Sequence, residues 1–181
     1  MPVTRLASPA TSSPRIAAAF EVSRERIDMQ TITPFLWFDG KVEQAMTFYT
    51  SIFTDSTVEN VSRMGGPDAP VISATFELLG QRFHALNAGP QYAFTPAVSF
   101  LISVETQEEV DYYWTRLGAG GSDEPCGWLK DQFGLSWQVI PEALGRLMGD
   151  PDQEKAGRVV QAMLGMTRIE IAELQKAYDG Q

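Results

Sequence analysis

Gln138 is the side chain whose surroundings in the sequence most strongly indicate a binding site. It lies in the run CGWLKDQFGLSWQVIP, where a turn signal at 131–134 separates two short runs of strand-forming residues. Period-two alternation after this turn divides the strand into two faces, one with Ser136, Gln138 and Ile140 and the other with Leu135, Trp137 and Val139. Because the second face is apolar and belongs in a core, we expect the amide of Gln138 to line a cavity. An amphipathic edge hairpin is the structural alternative.

Three other polar side chains have both a chemical and a structural interpretation. His84, the only histidine, could act as a general base because imidazole exchanges protons near neutral pH, although a lone strand histidine is more often structural. Asn87 ends the same predicted strand beside Gly89, where its amide would bind a ligand or satisfy turn amides. Cys126 has no histidine near it in the sequence, which favours an inert buried thiol over a nucleophile.

Composition limits the partners that the chain can have. Its 181 residues, 44% hydrophobic and 20% charged, suit one globular domain with appendages. The net charge of −9 argues against a nucleic-acid partner, whose phosphates would repel this surface. No apolar run approaches the ~20 residues of a membrane helix, so we expect no membrane partner. A single cysteine rules out an intrachain disulfide and favours a cytoplasmic location.

The first 28 residues differ in composition from the rest of the chain. They are rich in Ser, Pro, Ala and Arg, show no sustained period and precede Met29. We expect residues 1–28 to be a disordered leader or a misassigned start, with translation beginning at Met29. A transit peptide is the alternative, which Glu21, Glu25 and Asp28 weaken.

From residue 31 onward the chain shows one order of elements twice: a strand, a helix and further strands. In the first copy, helical spacing after Gly40 predicts a buried face made of Val42, Ala45, Met46, Tyr49, Ile52 and Phe53. In the second copy, Thr106 and Glu109 form a capping box at a helix start. The predicted strands cover residues 31–38, 57–64, 71–79 and 81–87, and then 97–104, 122–130 and 135–140.

The last forty residues, 142–181, are predicted to be helical. Asp150 is the expected N-cap of one helix, with Pro151 in its first turn and Gly165 at its end. Thr167 and Glu170 have the spacing of a second capping box. Helices this short are unstable alone, so they are expected to pack on the domain or on a dimer partner.

Four segments carry a family resemblance: ITPFLWFDGKVEQAMTFYTSIF (32–53), ALNAGP (85–90), FTPAVSFLISVETQEEVDYYW (94–114) and CGWLKDQFGLSWQVIP (126–141). Together they resemble the PhnB-like, or demethylubiquinone methyltransferase-like, branch of the vicinal oxygen chelate superfamily, which includes glyoxalase and bleomycin-resistance proteins. The resemblance implies an α+β domain over residues 29–141. In it, paired βαβββ modules form a curled mixed sheet, and the 142–181 helices extend it. It also implies a homodimer and a small-molecule ligand in the cup of the sheet.

The resemblance also allows a test for a metal. Glyoxalase-type relatives hold a divalent ion with His, Glu or Gln side chains, and their three ligand positions fall here at Pro34, Ser99 (Ala97 if the register slips) and Gln138. Proline has no ligating side chain and neutral serine is a poor ligand, whereas catalytic metals need about three His or carboxylate ligands. We therefore expect no metal and no cofactor. The alternative is a metal-dependent glyoxalase or dioxygenase-type enzyme with non-standard ligands, such as His84.

The methyltransferase name of the family has no support in the glycines of this chain. A SAM-binding loop of the common kind joins a strand to a helix, but the runs at 118–121 and 65–67 follow a helix and join two strands. We predict a protein that binds a small organic molecule through candidates among His84, Asn87, Ser99, Trp128 and Gln138. Whether it also catalyses a reaction stays open at this point.

Overall fold

The structure, a computed structural model, describes residues 32–181. The expectations for the leader at 1–28 and for a start at Met29 lie outside these residues. Within them, the order of elements follows the repeated strand–helix–strands pattern of the sequence.

The first module forms a four-stranded sheet, sheet 1, with one helix. Its elements are β1 (Phe35–Phe38), α1 (Val42–Ile52), β2 (Ser56–Arg63), β3 (Val71–Leu78) and β4 (Gln81–Asn87). The strand order is β1-β4-β3-β2, with β1 parallel to β4 and the remaining neighbours antiparallel. Leu79 and Gly80, both at positive φ, make the predicted tight hairpin between β3 and β4.

The second module repeats this topology in sheet 2. Its elements are β5 (Ser99–Val104), α2 (Gln107–Leu117), β6 (Ser122–Asp123), β7 (Trp128–Lys130) and β8 (Ser136–Pro141). The strand order is β5-β8-β7-β6, with β5 parallel to β8. Two mixed sheets of the same connectivity confirm the predicted α+β fold of paired βαβββ modules.

The local signals for the two module helices are confirmed. The buried residues of α1 are Val42, Ala45, Met46, Tyr49 and Ile52, as its apolar spacing predicts. At the start of α2, Thr106 Oγ1 accepts from Glu109 N at 3.2 Å, and the Glu109 carboxylate accepts from Thr106 N at 3.1 Å. Side chains from both modules meet in a single hydrophobic cluster.

The predicted single strand at 122–130 is wrong. The chain reverses between β6 and β7, so that Ser122 pairs with Lys130 in an antiparallel hairpin. Cys126 and Gly127 have φ values of 62° and 81°, which a continuous strand cannot contain. The turn lies at Pro125–Gly127, where the proline and the glycine are turn signals that the strand prediction overlooked.

The C-terminal segment, residues 142–181, contains three helices: α3 (Glu142–Met148), α4 (Gln153–Leu164) and α5 (Ile171–Asp179). The predicted N-cap at Asp150 is wrong by two residues, since Asp152 accepts from Glu154 N and Lys155 N. The predicted Thr167 capping box does not form, because the helix begins at Ile171 with Glu170 as its N-cap and the Glu170 carboxylate binds Arg168. Gln107 Oε1 of α2 accepts from Ile171 N. Between residues 32 and 181, none of the helices is long and apolar enough to cross a membrane.

Candidate functional site

Gln138 lies on the side of sheet 2 that faces away from the core residues Trp137 and Val139. Its Nε2 donates to Ser99 Oγ on the neighbouring strand β5, at 2.8 Å. Trp128 on β7 and Leu101 on β5 are its direct partners across the two strand pairs, so their side chains share its side of the sheet. We name the surface formed by Ser99, Leu101, Trp128 and Gln138 the amide face. The structure thus brings together three of the five predicted site residues.

A buried hydroxyl lies at one end of the amide face. Ser136 pairs in register with Ser99 on one side and with Lys130 on the other. It is fully buried, and its Oγ has no hydrogen-bond partner among the residues that the structure describes. Lys130 Nζ bridges to Glu124 at 2.6 Å, which neutralises much of its charge locally. The amide face is therefore polar at the Ser136 end and nearly neutral.

His84 lies on sheet 1 rather than beside Gln138. Its Nδ1 is 2.9 Å from Thr75 Oγ1 on β3, and its ring lies 6.1 Å from that of Phe35 on β1. The backbone N–H of His84 donates to Pro34 O at 2.9 Å, so the first and fourth strands join at this point. We name the surface formed by Phe35, Thr75 and His84 the histidine face. Phe35 is 61% exposed there, which is unusual for a phenylalanine.

Asn87 has both atoms of its amide engaged by backbone groups. Its Oδ1 accepts from Val42 N at the start of α1, at 3.1 Å, and its Nδ2 donates to Val71 O at 2.8 Å. It thereby joins the end of β4 to the first turn of α1 and to β3. This arrangement agrees with the structural interpretation of Asn87, since its amide oxygen and nitrogen each already bind a backbone group that joins two elements.

Cys126 is half-buried in the turn before β7. Its backbone N–H donates to Met166 O of the C-terminal segment at 2.8 Å. Gly127 N donates in the same way to Thr167 O at 2.7 Å. The turn that leads into Trp128 is therefore held by the C-terminal segment.

The side chain of Asp131, in the predicted turn, is buried and does not belong to the amide face. Asp131 is 3% exposed, and its Oδ2 accepts from Tyr49 OH of α1 at 2.7 Å and from Trp137 Nε1 at 2.9 Å. Its Oδ1 accepts from the backbone N–H groups of Phe133 and Leu135. Burial raises the pKa of Asp131, although these four hydrogen bonds oppose the rise. We name this the Asp131 junction, because it ties helix α1 of the first module to the β7–β8 turn of the second.

The same burial acts on the partner phenol. Desolvation raises the pKa of Tyr49 well above its ordinary value, and the neighbouring Asp131 carboxylate raises it further. Tyr49 therefore stays a neutral donor. With its four donors, Asp131 needs no ligand, so the junction is structural.

Two concave regions flank these elements. The larger, about 730 Å³, lies between α4 and α5 and contains none of the predicted site residues. The smaller, about 260 Å³, is an apolar crevice where the two modules meet, lined by Phe53, Leu78, Leu79, Gln81, Phe83, Phe100, Leu101 and Trp137. Leu101 belongs to both the crevice and the amide face, but Phe100 and Trp137 line the crevice from the core side of sheet 2, opposite Ser99 and Gln138. Neither region contains Ser99, Trp128 or Gln138, so the amide face is an open strand surface rather than part of a crevice.

The donor set does not fit a catalytic divalent metal. Of the three family positions, Pro34 offers only its backbone, and the Ser99 hydroxyl and the Gln138 amide bind each other. His84, the one imidazole, contacts Thr75. Among residues 32–181, no three His, Cys, Asp or Glu side chains are grouped closely enough to hold an ion. Neutral hydroxyl and amide groups are weak ligands for zinc or iron.

Sequence reasoning missed four residues at these surfaces: Phe35 as a contact of His84, Thr75, Leu101 and Lys130. Leu101 and Lys130 could have been found, since placing β5 and β7 beside β8 sets their register against Gln138 and Ser136. Thr75 could also have been found, since the predicted tight hairpin at Leu79–Gly80 sets a regular β3–β4 register in which Thr75 pairs with His84.

Known proteins resemble the two-module domain of this chain. The family profile described as 3-demethylubiquinone-9 3-methyltransferase matches residues 30–140. A PhnB protein from Bacillus cereus that carries the same label is 39% identical, with a TM-score of 0.55; the match covers 62% of this chain and 99% of that protein. Protein PA1353 from Pseudomonas aeruginosa is 20% identical, with a TM-score of 0.54, and the match covers 62% and 98% of the two chains. No curated protein matches the sequence.

The fold and these matches define a vicinal oxygen chelate protein. Within that superfamily, the chain belongs to the PhnB-like family, whose profile is named for 3-demethylubiquinone-9 3-methyltransferase. The activity in that name is not favoured. The Gly65–Gly66 turn joins β2 to β3, and the glycines at 118–121 follow helix α2, so neither places a cofactor at the N-terminus of a helix.

Proposed function

We propose that the protein binds a small organic molecule on the amide face, without a metal. The Ser99–Gln138 hydrogen bond carries this proposal, because it places an amide and a hydroxyl on an open strand surface beside the apolar side chains of Leu101 and Trp128. Small-molecule sites usually combine an apolar wall with a few polar groups that fix orientation. Trp128 supplies a flat apolar wall across from Gln138.

The polar groups indicate the chemistry of the ligand. Ser99 Oγ accepts from Gln138, so its hydroxyl proton is free to be donated to a ligand oxygen. Gln138 keeps an amide oxygen that can accept a hydrogen bond. A flat, uncharged molecule that carries a carbonyl or amide group complements this set, whereas a strong anion or cation would lack an opposite charge.

We also propose that the protein is a homodimer whose second chain covers these surfaces. Phe35 on the histidine face and Leu101 on the amide face are 61% and 58% exposed, and both lie beside polar side chains. Large apolar side chains exposed next to polar groups are typical of surfaces that a partner covers. The family resemblance supports the same arrangement.

The location and the domain limits complete the proposal. We propose a cytoplasmic protein, since its one cysteine suits a reducing compartment. Residues 29–141 make the ligand-binding domain, and the helices after Pro141 are an addition to it. The family profile ends at residue 140, which supports this boundary.

Native mass spectrometry of freshly purified protein tests the proposal. We expect a dimer of two 20.0 kDa chains, and a mass increase of a few hundred daltons that is lost on gentle activation. Gln138→Ala should form the same dimer with less bound mass. A stoichiometric metal that resists chelation would instead support the metal-dependent alternative, and a monomer would contradict the dimer.

A further inference from the structure

Part of sheet 2 on the Gln138 side is covered by the chain itself. Ile140 follows Gln138 by two residues on β8 and therefore points to the same side. It packs against a second hydrophobic cluster made by the C-terminal segment, which is separate from the main core: Leu144, Leu147, Val159, Ile169 and Leu174. The C-terminal segment thus covers this side of the sheet from Ile140 onward, next to Gln138.

The contact between the segment and the sheet is tight. A Cβ added at Gly127 would lie 2.9 Å from Ile140 Cδ1 and 3.0 Å from Ile169 Cγ1. Real Cβ contacts are almost never shorter than 3.0 Å, so Ile169 rests directly on the glycine backbone and beside Ile140. Ile169 is fully buried.

The segment is also fixed to the domain by polar contacts. Gln107 of α2 donates to Ile169 O at 3.1 Å and accepts from Ile171 N at 2.9 Å. Arg168 bridges to Asp111 at 3.1 Å. Met166 O and Thr167 O accept from the two residues that precede Trp128. These bonds hold the C-terminal segment against the domain, and they fix the turn that precedes Trp128.

We propose that the C-terminal segment is the end wall of the ligand site and limits how far a ligand can extend along β8 beyond Gln138. A secondary consequence is that the segment keeps Trp128 in register with Gln138. The inference rests on the proposed function, because a wall limits ligand length only if a ligand lies on the amide face. The family profile ends at residue 140, so this wall lies outside the shared domain.

A length series of neutral aromatic amides tests the wall. Benzamide, 2-naphthamide and biphenyl-4-carboxamide present one amide to Ser99 and Gln138 and differ in reach. Calorimetry should show that Ile169→Ala raises the affinity for biphenyl-4-carboxamide relative to benzamide by about tenfold, equivalent to ~1.4 kcal/mol. Ile52→Ala, the same truncation at a buried site in α1, is the matched control and should leave the ratio unchanged. An unchanged ratio in Ile169→Ala overturns the wall.

A second readout needs no ligand. Acrylamide quenching of Trp128 is obtained as the difference between each protein and its Trp128→Phe counterpart. We expect Ile169→Ala, and Gln107→Ala if the first variant fails to fold, to increase this quenching at least twofold. Equal quenching in both variants and in the parent overturns the inference. If no amide binds the parent, the proposed function and the wall both fail, and a rise in quenching then shows only that the segment holds Trp128 in place.

Discussion

The Asp131 junction and the amide face lie within eight residues of each other on the β7–β8 hairpin, yet they use polar groups in opposite ways. At the junction, each carboxylate oxygen of Asp131 accepts two hydrogen bonds from the protein. On the neighbouring face, Ser136 Oγ is buried without a partner among the described residues, and Gln138 is only half-buried. A satisfied buried group stabilises the fold and an unsatisfied buried hydroxyl costs stability, whereas the half-buried amide of Gln138 can still reach a ligand.

The family motif belongs to the first of these two regions. Asp131, Phe133, Gly134 and Trp137 make up its most recognisable part, and they build the junction and the core rather than the site. The family name is therefore easy to obtain from the sequence, while the function is not.

The largest expected effect comes from breaking the junction. Asp131→Ala should lower the free energy of unfolding by about 3 kcal/mol or more, because it leaves the Tyr49 hydroxyl and the Trp137 indole as buried donors without an acceptor. Urea denaturation measures this directly. A loss below about 1 kcal/mol would mean that water or a shift of the turn replaces the carboxylate.

Gln138→Ala should have a small effect on stability and a large effect on ligand binding. We expect a change in unfolding free energy of less than about 1 kcal/mol, since its bond to Ser99 is partly exposed. Affinity for 2-naphthamide should fall about tenfold, or ~1.4 kcal/mol. Gln175→Ala, the same substitution on the exposed side of α5, controls for general effects. Equal affinity in the Gln138→Ala and Gln175→Ala variants would show that Gln138 does not contact the ligand.

Tyr49→Phe sharpens the comparison within the junction. It removes one of the two side-chain donors to Asp131 but keeps the aromatic packing against Phe76 and Trp137. We expect a loss of about 1 kcal/mol in unfolding free energy, clearly less than for Asp131→Ala. A loss as large as that of Asp131→Ala would show that the tyrosine hydroxyl, rather than the carboxylate, dominates the junction.

The smallest expected effect is on pH dependence. Because burial raises the folded-state pKa of Asp131 above its unfolded value, its contribution to stability is fully present below the unfolded pKa and is lost as pH rises through the folded pKa. The stability of the parent relative to Asp131→Asn should therefore decline as pH rises above the ordinary carboxyl value of about 4. Exposed carboxylates with lowered pKa values, such as Glu109, are common to both proteins and cancel. A rising difference would contradict the direction of the pKa shift.

The sequence predicted the features that local periodicity and hydrogen bonding determine. The buried face of α1 and the capping box at Thr106 are both confirmed, because each depends on residues within a turn or two of the chain. The contact of Ser99 with Gln138 was anticipated only through the family resemblance, which assigned both residues to one cup.

The failures have long-range causes. The predicted Thr167 capping box is absent. The first amide of that helix, Ile171 N, donates instead to Gln107, which lies sixty-four residues earlier in the chain. Asp131 was interpreted only as a turn residue, since a carboxylate is usually exposed. One signal could have indicated its burial: Tyr49 and Trp137 lie on core faces and each carries a polar group that needs a partner.

The amide resonances of the Gln138 side chain test the central claim most directly. In a protein labelled with ¹⁵N-glutamine, titration with 2-naphthamide should shift the Gln138 NH₂ pair progressively and saturably, and leave the NH₂ pair of Gln175 unchanged. Asp131→Asn, if it remains folded, should show the same shift, because the junction takes no part in binding. Shifts confined to glutamines on α4 and α5, with Gln138 unmoved, would contradict the account.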